Sequence, residues 1–303
     1  MRNHLLIFIL SFSPATLVIA QTRPMTRYKE MIFQEYTVEK DLSWRSPAGH
    51  ASLFDLYQPK NDSAHGRPLI IWMHGGGFKF GSKDASGTRL WCQSFARRGY
   101  VCAAINYTLG KKNLSFTFTQ LARNCYQAVQ DVQQALSYFK LNAARWGIDT
   151  TKIVLAGNSA GGMLALQAVY SSDAQLKGLL GNEGTAGLSP AINPQKVTAI
   201  INFWGGIFDT AWLRQAKVPI VSVHGEQDRI VPYDHKGYPL YGSLPIHRMA
   251  DSLQIPNALK SYPGYSHELQ RQFNPLIISR QTKKRWLQAG EFAADFLYKT
   301  LWE

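Results

Sequence analysis

The stretch from Ile153 to Gly162 constrains the fold of this chain more than any other. It starts with apolar residues that are typical of a buried strand, and the Ala- and Leu-rich run 163–170 that follows it is typical of a helix. Only Gly-Asn-Ser-Ala-Gly turns the chain between the two. Gly157 and Gly161 flank Ser159 where a side chain would strike a neighbouring element, so we expect a tight turn that pushes the serine hydroxyl outward.

The Gly-x-Ser-x-Gly pattern alone leaves two interpretations open. It is short enough to occur by chance in an ordinary strand-to-helix connection. It also places Ser159 at a helix N-terminus, where unpaired N–H groups stabilise a developing negative charge. Whether Ser159 is a nucleophile depends on the other motifs in the chain.

Further apolar runs predict the other strands of a sheet covered on both faces. These runs are 68–73, 100–105, 197–203, 218–223 and 259–262. Between them, apolar residues at three- and four-residue spacing predict a long helix over 121–139, and similar spacing predicts a closing helix over 285–302. Alternating strands and helices with short connections predict a parallel sheet with right-handed crossovers.

Four other segments carry weaker patterns. Alternation of apolar and polar residues predicts two strands of a first hairpin or meander at 31–38 and 50–57. A helix is expected over 86–98 with Ser86 as its N-cap. The pattern weakens over 171–196, which we interpret either as a small cap or as a plain surface excursion.

The first twenty residues have the organisation of a signal peptide. A basic start at Arg2 precedes an apolar core at 5–10, and cleavage is expected near Ala20. An uncleaved anchor is the alternative, but the run is short and interrupted, so no stable membrane insertion is expected. The interpretation is a secreted or periplasmic protein whose residues 21–303 form a single α/β domain.

The chain is basic, with a formal net charge of +13. Lys and Arg are scattered, and 283–285 is the only run of three. Such a surface suits anionic polymers, phospholipid headgroups or cell-wall material, whereas nucleic acid is not an expected partner.

Three cysteines are present in a chain that we expect to be exported. Cys102 lies in an apolar strand and is expected to be a buried thiol. Cys92 and Cys125 fall on predicted helices, and a disulfide between them is one possibility. No Cys and His spacing is typical of zinc, so no metal site is predicted.

The remaining motifs all follow predicted strands directly. His-Gly-Gly-Gly-Phe at 74–78 follows the first apolar strand, an acidic turn with Asp228 follows 218–223, and His267 follows 259–262. Because the carboxyl ends of parallel strands share one edge of a sheet, we expect these residues to meet Ser159 in one cleft.

Ser159 becomes a nucleophile only if a base takes its proton, and His267 is the best-placed histidine for that role. The other histidines are better explained as structural or surface residues. Asp228 is the expected partner of His267, with Glu226 and Asp209 as alternatives because both also follow strands.

Backbone N–H groups of Gly76, Gly77 and Ala160 are the expected donors to an oxyanion. Aromatic residues close to strand ends are candidates for a substrate pocket. These candidates are Phe78, Phe80, Trp204, Phe208 and Tyr265.

These motifs, in this order, resemble the exported carboxylesterases and lipases of the α/β-hydrolase superfamily that carry an HGGG oxyanion loop. The resemblance extends from about residue 54 to residue 296 and implies an eight-stranded, mostly parallel sheet with helices on both faces. It further implies a Ser/Asp/His triad, no cofactor, and hydrolysis of carboxylic esters through an acyl-enzyme. One departure is the stretch 105–109, which has Thr108 where many relatives carry an arginine.

The expected substrates are short-chain, aryl or polysaccharide-borne esters. Two other functions stay open at this point. One is amide or peptide hydrolysis by the same triad, and the other is a catalytically inactive hydrolase fold that serves as a binding protein.

Overall fold

The computed structural model describes residues 26–111, 117–181, 195–235 and 239–303. The signal peptide predicted for residues 1–20 lies outside these ranges, and so do residues 182–194 of the cap predicted at 171–196. Of that cap, the described part contains one short helix, Asp173–Gly178.

Eight strands form one twisted sheet. They are β1 (Tyr36–Ser43), β2 (Leu53–Pro59), β3 (Arg67–Met73), β4 (Val101–Ile105), β5 (Ile148–Asn158), β6 (Ala199–Phe203), β7 (Ile220–Gly225) and β8 (Asn257–Tyr262). Their order across the sheet is β1-β2-β4-β3-β5-β6-β7-β8. β2 is antiparallel to both of its neighbours, and every other adjacent pair is parallel, which confirms the mostly parallel eight-stranded sheet.

Helices cover both faces of the sheet. In the described ranges the α-helices are α1 (Ser86–Ala96), α2 (Phe118–Leu141), α3 (Ala160–Tyr170), α4 (Asp173–Gly178), α5 (Ser243–Ser252) and α6 (Arg280–Trp302). α2 and α3 pack on one face, and α1 and α6 pack on the other. Successive residues of a strand point to opposite faces, so the apolar run of β3 supplies Ile71 to one core and Trp72 to the other.

The N-terminal hairpin predicted at 31–38 and 50–57 is displaced along the chain. Its strands begin at Tyr36 and Leu53, and residues 50–52 form a short 3-10 helix. The segment before β1 is held by the end of α1 instead, because Phe33 N–H donates to the carbonyl oxygen of Arg97. Backbone groups bonded in this way cannot join a strand ladder.

The helix predicted over 86–98 ends at Ala96, two residues earlier than predicted, and its N-cap is Ala85. Ser86 is its first helical residue, and no side chain caps the amino end. The long helix and the closing helix are confirmed, and each extends beyond the run that predicted it.

The disulfide considered between Cys92 and Cys125 is wrong. All three cysteines are free and buried. Cys92 packs with Cys102 on the α1 face of the sheet, whereas Cys125 packs on the α2 face. The sheet therefore separates the two thiols, while Cys102 is the buried thiol that its strand predicts.

The segments that carry the predicted motifs lie at one edge of this sheet. The 74–78 loop follows β3, Ser159 follows β5, Asp228 follows β7 and His267 follows β8. β3, β5, β6, β7 and β8 are consecutive and parallel, so their carboxyl ends open on the same side.

Candidate active site

Ser159 occupies a strained turn between β5 and α3. Its backbone has φ of 54° and ψ of −121°, a conformation that L-residues rarely adopt. A Cβ added to Gly157 would lie 2.3 Å from the carbonyl carbon of Gly161, and one added to Gly161 would lie 2.0 Å from the carbonyl oxygen of Met73. The two glycines are therefore required, because only they let the strand and helix approach closely enough to hold this turn.

His267 joins Ser159 to Asp228. Its Nε2 lies 2.9 Å from Ser159 Oγ, and its Nδ1 lies 2.6 Å from Asp228 Oδ2. A carboxylate only accepts hydrogen bonds, so Nδ1 carries the proton and leaves Nε2 free to accept the serine proton. All three side chains are buried, so the contacts are shielded from bulk water.

Asp228 is held ionised by its surroundings. Burial alone would raise the pKa of this carboxyl, but hydrogen bonds from His224 and His267 lower that pKa well below its usual range. Its Oδ1 also accepts the N–H groups of Ile230 at 2.8 Å and Val231 at 3.0 Å. Both carboxylate oxygens are thus occupied and the side chain has a fixed orientation.

The two alternative acids are engaged elsewhere. Glu226 is exposed and accepts the hydroxyl of Ser261 at 2.7 Å. Asp209 caps a short 3-10 helix through Ala211 N–H at 2.8 Å. The geometry places only Asp228 of the three candidates against His267.

The loop carrying His267 is fixed from the closing helix. Trp286 Nε1 donates to the carbonyl oxygen of Glu268 at 2.7 Å, and Arg285 Nε donates to that of Leu269 at 2.8 Å. Glu268 and Leu269 have positive φ values of 56° and 57°, so the loop needs these bonds to keep its shape. α6 thereby sets the position of the imidazole.

A second histidine contacts the same carboxylate and was not singled out from the sequence. His224 Nε2 lies 3.1 Å from the carbonyl oxygen of Val231 and 3.3 Å from Asp228 Oδ2, so this nitrogen carries a proton. Its Nδ1 lies 2.8 Å from Ser243 Oγ, which in turn lies 3.4 Å from Asn202 Nδ2. Its position at the end of β7, four residues before Asp228, was the available sequence signal.

The predicted oxyanion donors line the same pocket as Ser159 and His267. Gly76, Gly77 and Ala160 all border it. Gly76 has φ of 117°, and a Cβ there would lie 2.1 Å from the carbonyl oxygen of Phe80. The backbone of the glycine loop can adopt this conformation because Gly76 has no side chain.

His74 braces this loop and takes no part in the Ser159 contacts. Its ring stacks on Tyr107 with 4.3 Å between centroids, and the Tyr107 hydroxyl donates to the His74 carbonyl oxygen at 2.7 Å. Burial lowers the pKa of His74 to about 4, so the ring is neutral near pH 7. Where relatives carry an arginine, Thr108 N–H donates to Asp131 at 2.6 Å, and Arg45 from outside that stretch forms an ion pair with the same carboxylate.

The pocket has a volume of about 710 Å³. It is lined by Gly76, Gly77, Phe80, Leu121, Ser159, Ala160, Met163, Arg229, Ile230, Val231, Leu240, His267, Glu268, Phe273 and Pro275. Phe273 packs edge-on against the His267 ring at 5.0 Å. Glu268 and Arg229 are the acidic and basic residues among these mostly apolar lining residues. Burial raises the pKa of the Glu268 carboxyl.

Of the five aromatic pocket candidates, Phe80 lines this cavity, whereas Phe78, Trp204, Phe208 and Tyr265 do not. Phe78 and Trp204 have no exposed surface, because the chain turns at each with positive φ and directs the side chain into the core. Tyr265 borders a separate depression, where Arg285 lies 4.4 Å from the centre of its ring. Among the described residues, the aromatic side chains that line the pocket are Phe80 and Phe273, and Phe273 was not among the candidates.

In the described ranges, no group of three or more His, Cys, Asp or Glu side chains is arranged to hold a metal ion.

Solved structures with the same fold include esterases. Thermogutta terrifontis esterase 2 phosphorylated by paraoxon aligns with a TM-score of 0.60 at 21% identity, over 87% of this chain and 94% of that chain. A truncated carbohydrate esterase from gut microbiota aligns with a TM-score of 0.53 at 18% identity, over 85% and 96%. At these identities the likeness establishes the α/β-hydrolase fold.

Curated relatives are similar over part of their length. Gut esterase 1 of Caenorhabditis elegans is 26% identical over 160 residues, which are 52% of this chain and 28% of the relative. The probable carboxylic ester hydrolase LipM of Mycobacterium tuberculosis is 26% identical over 192 residues, which are 63% of this chain and 39% of the relative. The aligned region thus spans well under half of each of these two relatives.

The family model BD-FAE matches residues 54–210, just over half of the chain. The match runs from the second strand of the sheet past the glycine loop, the Ser159 turn and β6. The chain therefore belongs to the BD-FAE family.

Proposed function

We propose that this chain is a carboxylic ester hydrolase that acts through an acyl-enzyme on Ser159. The observation that carries the proposal is the continuous chain of contacts from Ser159 Oγ through His267 to Asp228. Ser159 and His267 line a pocket that the glycine loop also borders. Esterase relatives and esterase structures of the same fold agree with this activity.

The chemistry follows from the protonation state of His267. Its Nε2 accepts the proton of Ser159 as Oγ attacks the ester carbonyl carbon, and Asp228 stabilises the imidazolium that forms. N–H groups of Gly76, Gly77 and Ala160 then stabilise the negative oxygen. Each such donor typically lowers the activation barrier by roughly 3 kcal/mol. The imidazolium protonates the leaving alcohol, and the same nitrogen later activates the water that releases the acid.

The pocket indicates which esters enter. Its walls are mostly apolar, and its volume of about 710 Å³ suits an aliphatic or aryl group of moderate size. Short-chain and aryl esters are therefore the substrate class that we propose.

The direct test is a panel of substrates on the purified protein. We expect p-nitrophenyl acetate and butyrate to be turned over and an aminoacyl anilide to be turned over at least a hundredfold more slowly. A fluorophosphonate should label Ser159 in the native protein and not after denaturation. Faster cleavage of the anilide would indicate a peptidase, and absence of labelling would indicate an inactive binding protein.

His224 is expected to act on turnover through Asp228. Replacing it with leucine removes a buried hydrogen bond to a charged acceptor, an interaction worth about 1.5–3 kcal/mol, so we expect kcat to fall roughly 10- to 100-fold. With one donor fewer, the carboxylate attracts the positive charge on the His267 ring more strongly, which moves the acidic limb of the kcat/KM profile to higher pH. Steady-state kinetics from pH 4 to 9 would measure both effects.

The matched control is His224→Gln, which keeps a donor for Asp228 and an acceptor for Ser243. We expect it to recover most of kcat and to restore the acidic limb. If both variants lose thermal stability while their pH profiles stay unchanged, His224 would be a structural residue only.

A further inference from the structure

The mouth of the pocket carries an unusual concentration of exposed apolar surface. Ile230 and Phe80 line the pocket and are 57% and 44% exposed. Leu276 and Ile277 directly follow Pro275 of the pocket wall and are 91% and 69% exposed, and Ile277 borders the depression that contains Tyr265. In the part of the chain that the structure describes, the other exposed large hydrophobic side chain is Leu141. Grouped apolar side chains of this kind mark an interaction surface.

The segment that carries Leu276 and Ile277 is strongly basic. Between Leu269 and Gly290 the sequence has no acidic residue and has the following basic residues: Arg271, Arg280, Lys283, Lys284 and Arg285. Arg271, Arg280 and Lys284 are exposed. The first turns of α6 are tied to the His267 loop through Arg285 and Trp286, so these charges stand beside the pocket mouth.

We propose that this rim, formed by Phe80, Ile230, Leu276 and Ile277 with the basic segment 271–284, docks the protein onto lipid surfaces that carry anionic headgroups. Aliphatic side chains enter the headgroup boundary while neighbouring Lys and Arg contact the headgroups, as in other proteins that lie on membranes. The pocket mouth then faces the lipid.

The charge distribution selects this partner over two others. A second copy of the chain would bring the same positive segment against itself, which is unfavourable. A neutral polysaccharide offers no counter-charge to the exposed arginines and lysines and no apolar layer for Leu276 and Ile277. None of the helices in the described ranges is both long enough and apolar enough to cross a bilayer, so the rim is proposed to rest on the surface.

Binding is measured by co-sedimentation of the mature protein, residues 21–303, with vesicles, either of phosphatidylcholine alone or of equal parts phosphatidylcholine and phosphatidylglycerol. We expect binding to the mixed vesicles that weakens as salt is added, and at least about tenfold weaker binding to the neutral vesicles. Equal binding to both vesicles, or no binding to either, would overturn the proposal. Retention on insoluble xylan without vesicle binding would overturn it in favour of a polysaccharide surface.

Two variants test the rim itself. The double variant Leu276→Ser with Ile277→Ser removes the apolar contact, and Arg280→Glu with Lys284→Glu reverses two charges at the start of α6, where acidic residues are compatible with the helix. Each is expected to weaken binding to mixed vesicles about tenfold or more.

The matched control is Leu141→Ser, which removes an equally exposed leucine at the end of α2. The preceding Lys140 bonds the carbonyl oxygen of Lys196 at 3.0 Å, near the amino end of β6 and thus at the opposite edge of the sheet. The Leu141→Ser variant should bind mixed vesicles as well as the unmodified protein does. A loss as large as that of the rim variants would contradict the proposed surface.

The docking proposal does not depend on the proposed esterase activity, since binding is measured without turnover. Hydrolysis of water-soluble p-nitrophenyl acetate should be unchanged in all three variants. Loss of vesicle binding with intact hydrolysis supports the rim, whereas loss of both would mean that the substitutions disturb the fold and that the rim is not a separate surface.

Discussion

Ser159→Ala is expected to lower kcat for ester hydrolysis by about 10⁴- to 10⁶-fold while leaving the fold intact. The loss is this large because the serine oxygen, which lies 2.9 Å from His267 Nε2, forms the covalent bond to the acyl group. Alanine fits the turn as well as serine does, since the close approach there depends on Gly157 and Gly161.

The measurement is the rate of p-nitrophenyl acetate hydrolysis together with a thermal melt. Ser252→Ala serves as the control, because that hydroxyl bonds the Met249 carbonyl oxygen at the end of α5, away from the pocket. A Ser159→Ala protein that melts normally and keeps more than a few per cent of the activity would reject Ser159 as the nucleophile.

Asp228→Asn is expected to lower kcat by about 10⁴-fold. The amide oxygen of the new side chain is drawn to the N–H groups of Ile230 and Val231, which turns the NH₂ group toward His267 Nδ1. His267 then moves its proton to Nε2 and can no longer accept the proton of Ser159. The rate falls through the wrong tautomer, with little change in shape.

The two other acids that follow strands provide matched controls for this prediction. Asp209→Asn and Glu226→Gln are each expected to leave kcat within about twofold, since their carboxylates contact Ala211 and Ser261 and not His267. A large loss in either variant, with little effect of Asp228→Asn, would assign the acid differently.

Much of the site was predictable because a parallel sheet converts chain order into position. Ser159, Asp228 and His267 each follow an apolar strand, and the ends of parallel strands share one edge, so their meeting required no knowledge of side-chain contacts. The glycines at 76, 157 and 161 were informative for a related reason. Their roles depend on the absence of a side chain, which is visible in the sequence itself.

The pocket walls were predictable only in part, since Phe80 alone of the five aromatic candidates lines the cavity. Phe78 and Trp204 follow strands as closely as the reactive residues do, yet both turn into the core. Phe273 reaches His267 from a segment without a periodic pattern. Which aromatic residue faces a cavity depends on the local backbone turn and on what already fills the neighbouring space, and neither is encoded in residue type.

The sequence by itself determined the fold class, the strand ends where Ser159, Asp228 and His267 lie, and the tight turn at Ser159, because apolar periodicity and glycine placement express local constraints. Tertiary structure removed the two alternatives to Asp228, which was the expected partner of the imidazole. It alone decided that His224 joins this carboxylate and that Cys92 and Cys125 stand on opposite faces of the sheet. Those outcomes depend on the packing of segments distant in the chain, where differences of a few ångströms separate a contact from none.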